Sequence, residues 1–512
     1  MFKDIKSIFN LVIIVIISVF ANFYFGSIGV YPVDSFAFFD SAHSIINGSI
    51  PFRDYWVMNG PILDLFQSIF FYFGGVSWKV YLLHSSFINA LFAIISYFFF
   101  RDFGLDKNYS LTYTICLSLL AYPVVGVPFP DHHSIIFSFI GVYTLILAIK
   151  YDYRVFWILL PIFFFIAFFS KQTPAAYFII LTCVVLFFYT FILKKYYWLV
   201  FTLLSSFTLI LFLLILLSIN NINILDLFTQ YFLFPKTIGD YRLDQFSFSS
   251  SKILSNFKFI FLGLIILLYI FISKVSSNKK YYLKNESIFI LIMVFSIFIS
   301  VFHQVLTKNQ NFIFFTIPLL CGFSQCFVDR NKKIVILILI SLTLFTTIKY
   351  HLRFNIDRKF MELEHIDKNL FERGENINII LKGLKWTNGE YIGKPKDEVK
   401  YLRLTIDHLK NEKKKFIIIT NYQFLLSSIS KQNYSPNRWY TVDGVSYPLQ
   451  NNKYYDYYKQ FYNKKLKDKK IEIIYTVLPL NIETVDFLLK KNCISSTKIN
   501  PILYKHKLNG CY

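Results

Sequence analysis

Residues 31–64, YPVDSFAFFDSAHSIINGSIPFRDYWVMNGPILD, carry Asp34, Asp40, Arg53, Asp54 and Asp64 in a chain that is otherwise largely hydrocarbon. The stretch follows a first apolar run, about residues 9–30, and precedes a second. Carboxylates at such a boundary suit general acid–base chemistry, because partial desolvation raises their pKa toward neutrality. Asp34 is the foremost candidate base. It is also placed to cap the helix that follows, and the two roles are compatible. Arg53 and Asp54 are adjacent, so they form either a local ion pair or a substrate contact. Asp40 reads as part of a solvated helix face. The flanking segments DSFAFFDSAHSII and GPILDLFQSIFFYFG are amphipathic and suited to lying flat at a membrane interface.

A second polar group follows Pro128 and Pro130, namely Asp131, His132 and His133. Adjacent histidines point different ways, so at most one shares a site with Asp131. Lys171, Gln172 and Thr173 form another boundary cluster. His303, Lys308, Asn309, Gln310 and Asn311 lie near the end of a later apolar run, and Asn309 to Asn311 serve equally as a helix cap. Arg242 stands in FPKTIGDYRLDQF. A divalent metal held by Asp131 with His132 or His303 is chemically reasonable, although no H-x-x-H or C-x-x-C spacing supports it.

The elements that position these residues are membrane helices. The chain is 55% hydrophobic, 20% aromatic and only 16% charged, against about 25% charged in a soluble protein. Eleven apolar runs read as spans, roughly 9–30, 79–100, 110–127, 134–149, 155–170, 174–193, 197–219, 254–273, 287–304, 311–328 and 334–350. With the N-terminus inside, fifteen Lys and Arg fall on inside segments and seven on outside loops, which fits the positive-inside bias. An odd count then puts the tail outside. A net charge of +22 would suggest nucleic acid in a soluble protein. Here it reflects basic residues facing lipid and phosphate.

Residues 1–350 thus read as a transmembrane domain and 351–512 as an outer α/β domain. Its strands are KKFIIITN and KKIEIIYTVLP, its helices 398–411 and 455–467, and a charged linker helix covers 353–375. The aromatic stretch NYSPNRWYTVDGVSYP offers Arg438, Trp439 and Asp443 as carbohydrate contacts or as ordinary loop packing. Cys116, Cys183, Cys321 and Cys326 sit in apolar runs as core residues. Cys493 and Cys511 lie in the outer domain, where an oxidising compartment would permit their pairing.

The ordered set of motifs resembles the C-type (GT-C) superfamily of polyprenyl-phosphate-sugar-dependent glycosyltransferases, in particular its bacterial aminoarabinose- and mannosyltransferase-like branch. Four places carry the resemblance over about residues 9–350: VDSFAFFDSAHSIINGSIPFRDYW, VPFPDHHS, SKQTP and HQVLTKNQNFIFFTIPLL. It implies a multi-pass bacterial inner-membrane enzyme with a periplasmic active site. A sugar would pass from a polyprenyl-phosphate donor to a lipid-linked glycan or other envelope acceptor, with inversion. Asp34 and Asp131 would be the catalytic acids. Arg53, Asp54, His132, His133, Lys171, Gln172, Arg242, His303, Lys308, Asn309 and Gln310 would bind substrate. Among them Lys171, Arg242 and Lys308 would hold the lipid phosphate, snorkelling being the alternative for Lys171. The family's first loop often pairs two acids; here Ser35 follows Asp34, which leaves metal dependence open. An O-antigen polymerase or ligase and a lipid-glycan flippase are the competing classes.

Overall fold

The computed structural model describes residues 5–246, 249–277, 284–307, 312–329, 331–391, 393–441, 443–478 and 494–509. In chain order the helices begin α1 (Ile5–Gly26), α2 (Pro32–Ser35), α3 (Phe39–Ile46), α4 (Pro61–Gly74), α5 (Trp78–Asp102), α6 (Lys107–Leu120) and α7 (Pro130–Tyr151). They continue with α8 (Arg154–Ser170), α9 (Gln172–Leu193), α10 (Tyr197–Ile219), α11 (Ile224–Phe228), α12 (Phe234–Asp244), α13 (Ser250–Ser277) and α14 (Asn285–Thr307). The last are α15 (Thr316–Gln325), α16 (Lys333–Tyr350), α17 (Pro395–Asn411), α18 (Leu425–Ser428) and α19 (Tyr455–Lys469).

The chain forms two compact units. The first comprises residues 1–26, 85–214 and 245–360, and the second 27–84, 215–244 and 361–512. Among the described residues, eight helices are long and apolar enough to cross a membrane: α1, α5, α7, α9, α10, α13, α14 and α16. The protein is therefore a polytopic helical membrane protein. Three of the eleven runs read from sequence, 110–127, 155–170 and 311–328, form shorter helices of 14, 17 and 10 residues. Turns shorten two of them: a 3-10 turn at Tyr122–Val124 follows α6, and another at Ile313–Phe315 precedes α15.

In the first unit α7 is buried along nearly its whole length. Gly141 lets α8 approach it, since a Cβ there would stand 2.9 Å from the Phe164 ring. Gly126, at φ +84°, brings the turn before α7 against α1, where a Cβ would stand 2.4 Å from Gly26 Cα. Polar side chains stitch the spans. The Asn22 amide donates to Ser85 Oγ and Ser86 Oγ, both at 2.9 Å, and to the Gly126 carbonyl. Such bonds between membrane helices contribute about 0.6 kcal/mol each on average.

The second unit holds both sheets. The strands are β1 (Ile28–Val30), β2 (Glu372–Arg373), β3 (Lys385–Asn388), β4 (Phe416–Ile419), β5 (Ile473–Val477), β6 (Ile494–Asn500) and β7 (Leu503–Leu508). The larger sheet has order β4-β5-β7-β6, with β4 and β5 parallel and the other pairs antiparallel. The all-apolar FIII of β4 suits a strand buried on both faces. The smaller sheet, β1-β3-β2, pairs β1 parallel to β3 with Ile28 opposite Lys385. The residues just after α1 are thus tied to the tail.

That tie changes the division expected at residue 350. Trp56, Met58 and Phe234 share one core with Ile417, Ile419, Tyr440, Tyr458 and Tyr462. Residues 27–84 and 215–244 therefore fold with the tail, because none of the three buries its aromatic side chains alone. The linker expected to be helical over 353–375 is instead a π turn (His351–Ile356) and short 3-10 turns. Arg358 at φ +52° and Glu362 at φ +58° break it. The segment 34–46 is not an interfacial helix either. Phe36, Phe38, Phe39 and Ala42 are fully buried, with Phe36 against Trp78, Trp386 and Phe424. Cys493 and Cys511 lie outside the described residues, and the other four cysteines are free thiols.

Candidate functional site

The candidate residues fall into two groups, one per unit. In the first unit Asp131 is the second residue of α7, behind Pro130 at the position where a missing N–H costs nothing. Lys171 Nζ donates to its Oδ2 at 2.6 Å, and His303 Nε2 lies 3.1 Å from its Oδ1. The side chains are 3%, 15% and 0% exposed for Asp131, Lys171 and His303, so the cluster is nearly dry. It joins the start of α7, the residue before α9 and the last turns of α14. The Lys171 carbonyl also accepts from Ser134 Oγ at 3.0 Å. Gln172 is the first residue of α9. The Lys171 ammonium is thus matched by the Asp131 carboxylate. Asp131 has one oxygen on an ammonium and the other beside an imidazole.

His132 and His133 do point different ways. His133 Nδ1 meets the Tyr122 hydroxyl. His132 stacks on Phe312 with centroids 4.4 Å apart, and among the described residues neither of its ring nitrogens has a hydrogen-bond partner. No group of three or more His, Cys, Asp or Glu gathers to hold a metal among the described residues. His132 thus turns away from the Asp131–His303 pair into an aromatic box with Tyr122, Phe129 and Phe360. Lys308, Asn309 and Gln310 lie outside the described residues.

In the second unit Asp34 is the third residue of the four-residue α2 and is half-buried. The cap position belongs to Tyr31, so Asp34 does not act as N-cap. Burial holds the Tyr31 phenol above its ordinary value, reinforced by the carboxylates of Glu390, Asp34 and Glu362. Glu390 bonds that phenol and is itself pushed up by burial. Glu362 and Glu390 therefore belong to the electrostatic surroundings of Asp34, although nothing in their sequence spacing marks them. Trp439 Nε1 donates to the Val33 carbonyl at 2.8 Å and so fixes the backbone beside Asp34.

Arg53 and Asp54 form the local pair: Nε and Nη2 both reach Asp54 Oδ2, at 3.1 and 2.6 Å. Arg53 Nη1 also donates to the Asn220 carbonyl, and Asp54 accepts from the Ile50 amide. Both serve the loop's architecture. Arg242 is in the last turn of α12, partly exposed. It and Lys171 belong to different units. Asp443, at the surface, accepts from the Val445 amide.

Asp40 and Asp64, two further carboxylates of the same segment, are both buried. Asp40 is 2% exposed, not solvated. It accepts from the Ser427 amide at 2.9 Å, Ser427 Oγ at 2.5 Å and the Leu426 amide at 3.3 Å, and so caps α18. Burial raises its pKa to about 6 against these donors, which pull it down. A raised carboxyl binds its proton more tightly when folded. The Asp40 contribution therefore makes unfolding easier as pH rises from the ordinary carboxylate range, near 4, through about 6. Asp40→Asn should flatten that part of the stability–pH curve, as thermal unfolding in detergent between pH 4 and 7 would read. An unchanged slope would remove Asp40 from the account.

Asp64, on α4, is the centre of a buried network. Ser41 Oγ donates to Oδ1 at 2.5 Å, while Arg438 Nη1 and the Tyr55 hydroxyl reach Oδ2 at 3.1 and 3.4 Å. Arg438 Nη2 donates to Asn59 Oδ1 at 2.6 Å, and its guanidinium lies 4.7 Å from the centroid of the Phe38 ring. Arg438 is thus committed to the unit's interior.

No protein-family model matches the chain, and no curated protein is similar enough to count as a relative. The fold and its apolar helices define the class, a polytopic helical membrane protein with a small sheet-containing unit.

Proposed function

We propose that this protein is an inverting glycosyltransferase of the C-type superfamily, acting on the periplasmic side of a bacterial inner membrane. A sugar would move from a polyprenyl-phosphate donor to a lipid-linked glycan or another envelope acceptor. The observation that carries the reading is Asp34, a half-buried carboxylate right after the first span, whose chain neighbour Val33 is held at its carbonyl by Trp439. Asp34 takes the proton of an acceptor hydroxyl as that oxygen attacks the anomeric carbon. The carbon–phosphate oxygen bond breaks, the lipid phosphate leaves, and the configuration inverts. The flippase alternative would place ionisable groups at mid-bilayer; Asp131, Lys171 and His303 lie instead at helix ends. Mass spectrometry of envelope glycolipids with and without the gene tests the reading. Identical glycolipid profiles would defeat it.

Three observations support eleven crossings with the tail opposite the N-terminus. Asp102 at the end of α5 pairs with Lys150 near the end of α7 at 2.6 Å. Those ends then share a side, and α6 must cross between them. Asp131 and Lys171 likewise put the starts of α7 and α9 together, so the 17-residue α8 crosses. Residues 215–244 and 361–512 belong to one unit. Since α13, α14 and α16 make three crossings, α15 must supply a fourth to return the chain to that side. The Lys and Arg distribution then sets the N-terminus inside. A reporter active only outside the cytoplasm should work when fused after residue 512 or within 220–250, and fail after 280. An inactive fusion at 512 would mean that one of the short helices does not cross.

A further inference from the structure

Two basic runs far apart in the chain meet at one end of the larger sheet. Lys413, Lys414 and Lys415 immediately precede β4, while Lys464, Lys465, Lys467, Lys469 and Lys470 crowd the end of α19 before β5. Because β4 and β5 run parallel with Phe416 opposite Ile473, both runs fall at the same end of the sheet. The Glu472 amide donates to the Lys415 carbonyl at 3.0 Å and so joins them. Part of the charge is matched: Lys414 lies 2.7 Å from Glu472 and Lys469 lies 4.0 Å from Asp54. Glu412 is taken by Lys505, which leaves Asp468 as the exposed acid of the two runs. Among the described residues, Lys413, Lys415, Lys464, Lys467 and Lys470 are exposed and make no ion pair. Such a concentration of like charge repels itself and attracts a polyanion.

We propose that this lysine face docks on anionic phospholipid headgroups, holding the sheet-containing unit to the bilayer by charge alone. The partner follows from where α19 is moored. Arg53 Nη1 donates to the carbonyl of Asn220, the residue after α10, at 3.1 Å. Arg53 Nη2 donates to Asp54 Oδ2 at 2.6 Å, and Asp54 Oδ1 faces the Lys469 ammonium in the last turn of α19. Near the other end of α19, the Tyr457 hydroxyl donates to Asp226 Oδ1 of α11 at 2.6 Å. The helix is thus tied at both ends to the residues that leave α10, one of the helices long and apolar enough to span. The end of a span stands at headgroup level, where clustered lysines bind anionic lipid. Lysine suits this task, since a compact ammonium on a flexible stem reaches phosphates without a shaped pocket. Among the described residues, no large hydrophobic side chain is exposed within 411–415 or 455–472. The face therefore has nothing to insert into the acyl region, and its contact is sensitive to salt.

The test is amine acetylation of the full chain by a water-soluble N-hydroxysuccinimide ester, in nanodiscs of phosphatidylcholine alone or mixed with phosphatidylglycerol. Peptide mass spectrometry reads each lysine. Lys413, Lys464, Lys467 and Lys470 should react at least about fivefold more slowly in the phosphatidylglycerol discs, the ratio that one lysine near an anionic surface supplies. Lys396, exposed at the other end of α17 and about 22 Å from Asn411 by helix rise, should react equally in both. Salt at about 1 M, where the screening length falls to about 3 Å, should abolish the protection. Equal rates at the four lysines in the two kinds of disc would overturn the proposal. Protection already complete in phosphatidylcholine and unmoved by salt would overturn it in favour of a second copy of the chain. Protection by soluble dextran sulfate but not by phosphatidylglycerol would overturn it in favour of a soluble polyanion. None of these outcomes depends on sugar transfer.

Discussion

Purified Asp34→Asn should insert and fold as the parent does but lose sugar transfer by roughly 100- to 10,000-fold, the usual cost of a missing general base. In barrier terms this is about 3–5 kcal/mol at 1.36 kcal/mol per tenfold. The substitution keeps the shape of a half-buried side chain and removes its ability to accept a proton. Capping does not compete as an explanation, since Tyr31 holds the cap position of α2. Glu390 and Glu362 are the neighbouring carboxylates able to supply residual activity, both being electrostatically coupled to Tyr31 beside Asp34. The combined variant Asp34→Asn with Glu390→Gln should fall further than either alone. Turnover close to normal in Asp34→Asn, measured with a polyprenyl-phosphate sugar, would end the assigned role.

Arg438→Met should destabilise the second unit by about 3–5 kcal/mol, because it leaves Asp64 buried without its cation. The guanidinium and carboxylate are 2% and 0% exposed at 3.1 Å, so neither solvent nor salt substitutes for the partner. Burial pushes the Asp64 carboxyl up and Arg438 pulls it down. Lowering the pH should therefore rescue part of the loss in Arg438→Met by protonating Asp64. Adding Asp64→Asn to Arg438→Met should recover much of the rest, since an amide can still bond Ser41 and Tyr55. Thermal unfolding of the parent and both variants in one detergent, at two pH values, measures both effects. A single variant as stable as the parent would show that the pair contributes nothing net.

Local pattern and tertiary pairing divided what the chain made legible. Hydrocarbon content, the apolar runs and the charged tail marked a polytopic helical protein, because a bilayer demands long apolar helices whatever they pack against. The periodicity of 398–411 and the apolar core of KKFIIITN likewise became α17 and β4, elements whose residues carry their own instructions. The fates of the acids were another matter. Asp34, Asp40 and Asp64 look alike in sequence. One is half-buried beside Tyr31, one caps a helix 387 positions away through Ser427, and one pairs with an arginine 374 positions away. Asp131 read as a site residue, yet its partners Lys171 and His303 meet it only because three helix ends converge. Electrostatic partners are chosen by distance in space, which leaves no periodic trace along the chain. The sequence by itself therefore determined the membrane class and the local elements. Only the tertiary structure decided which charges were matched, and that the loop between α1 and α5 and the tail share one core.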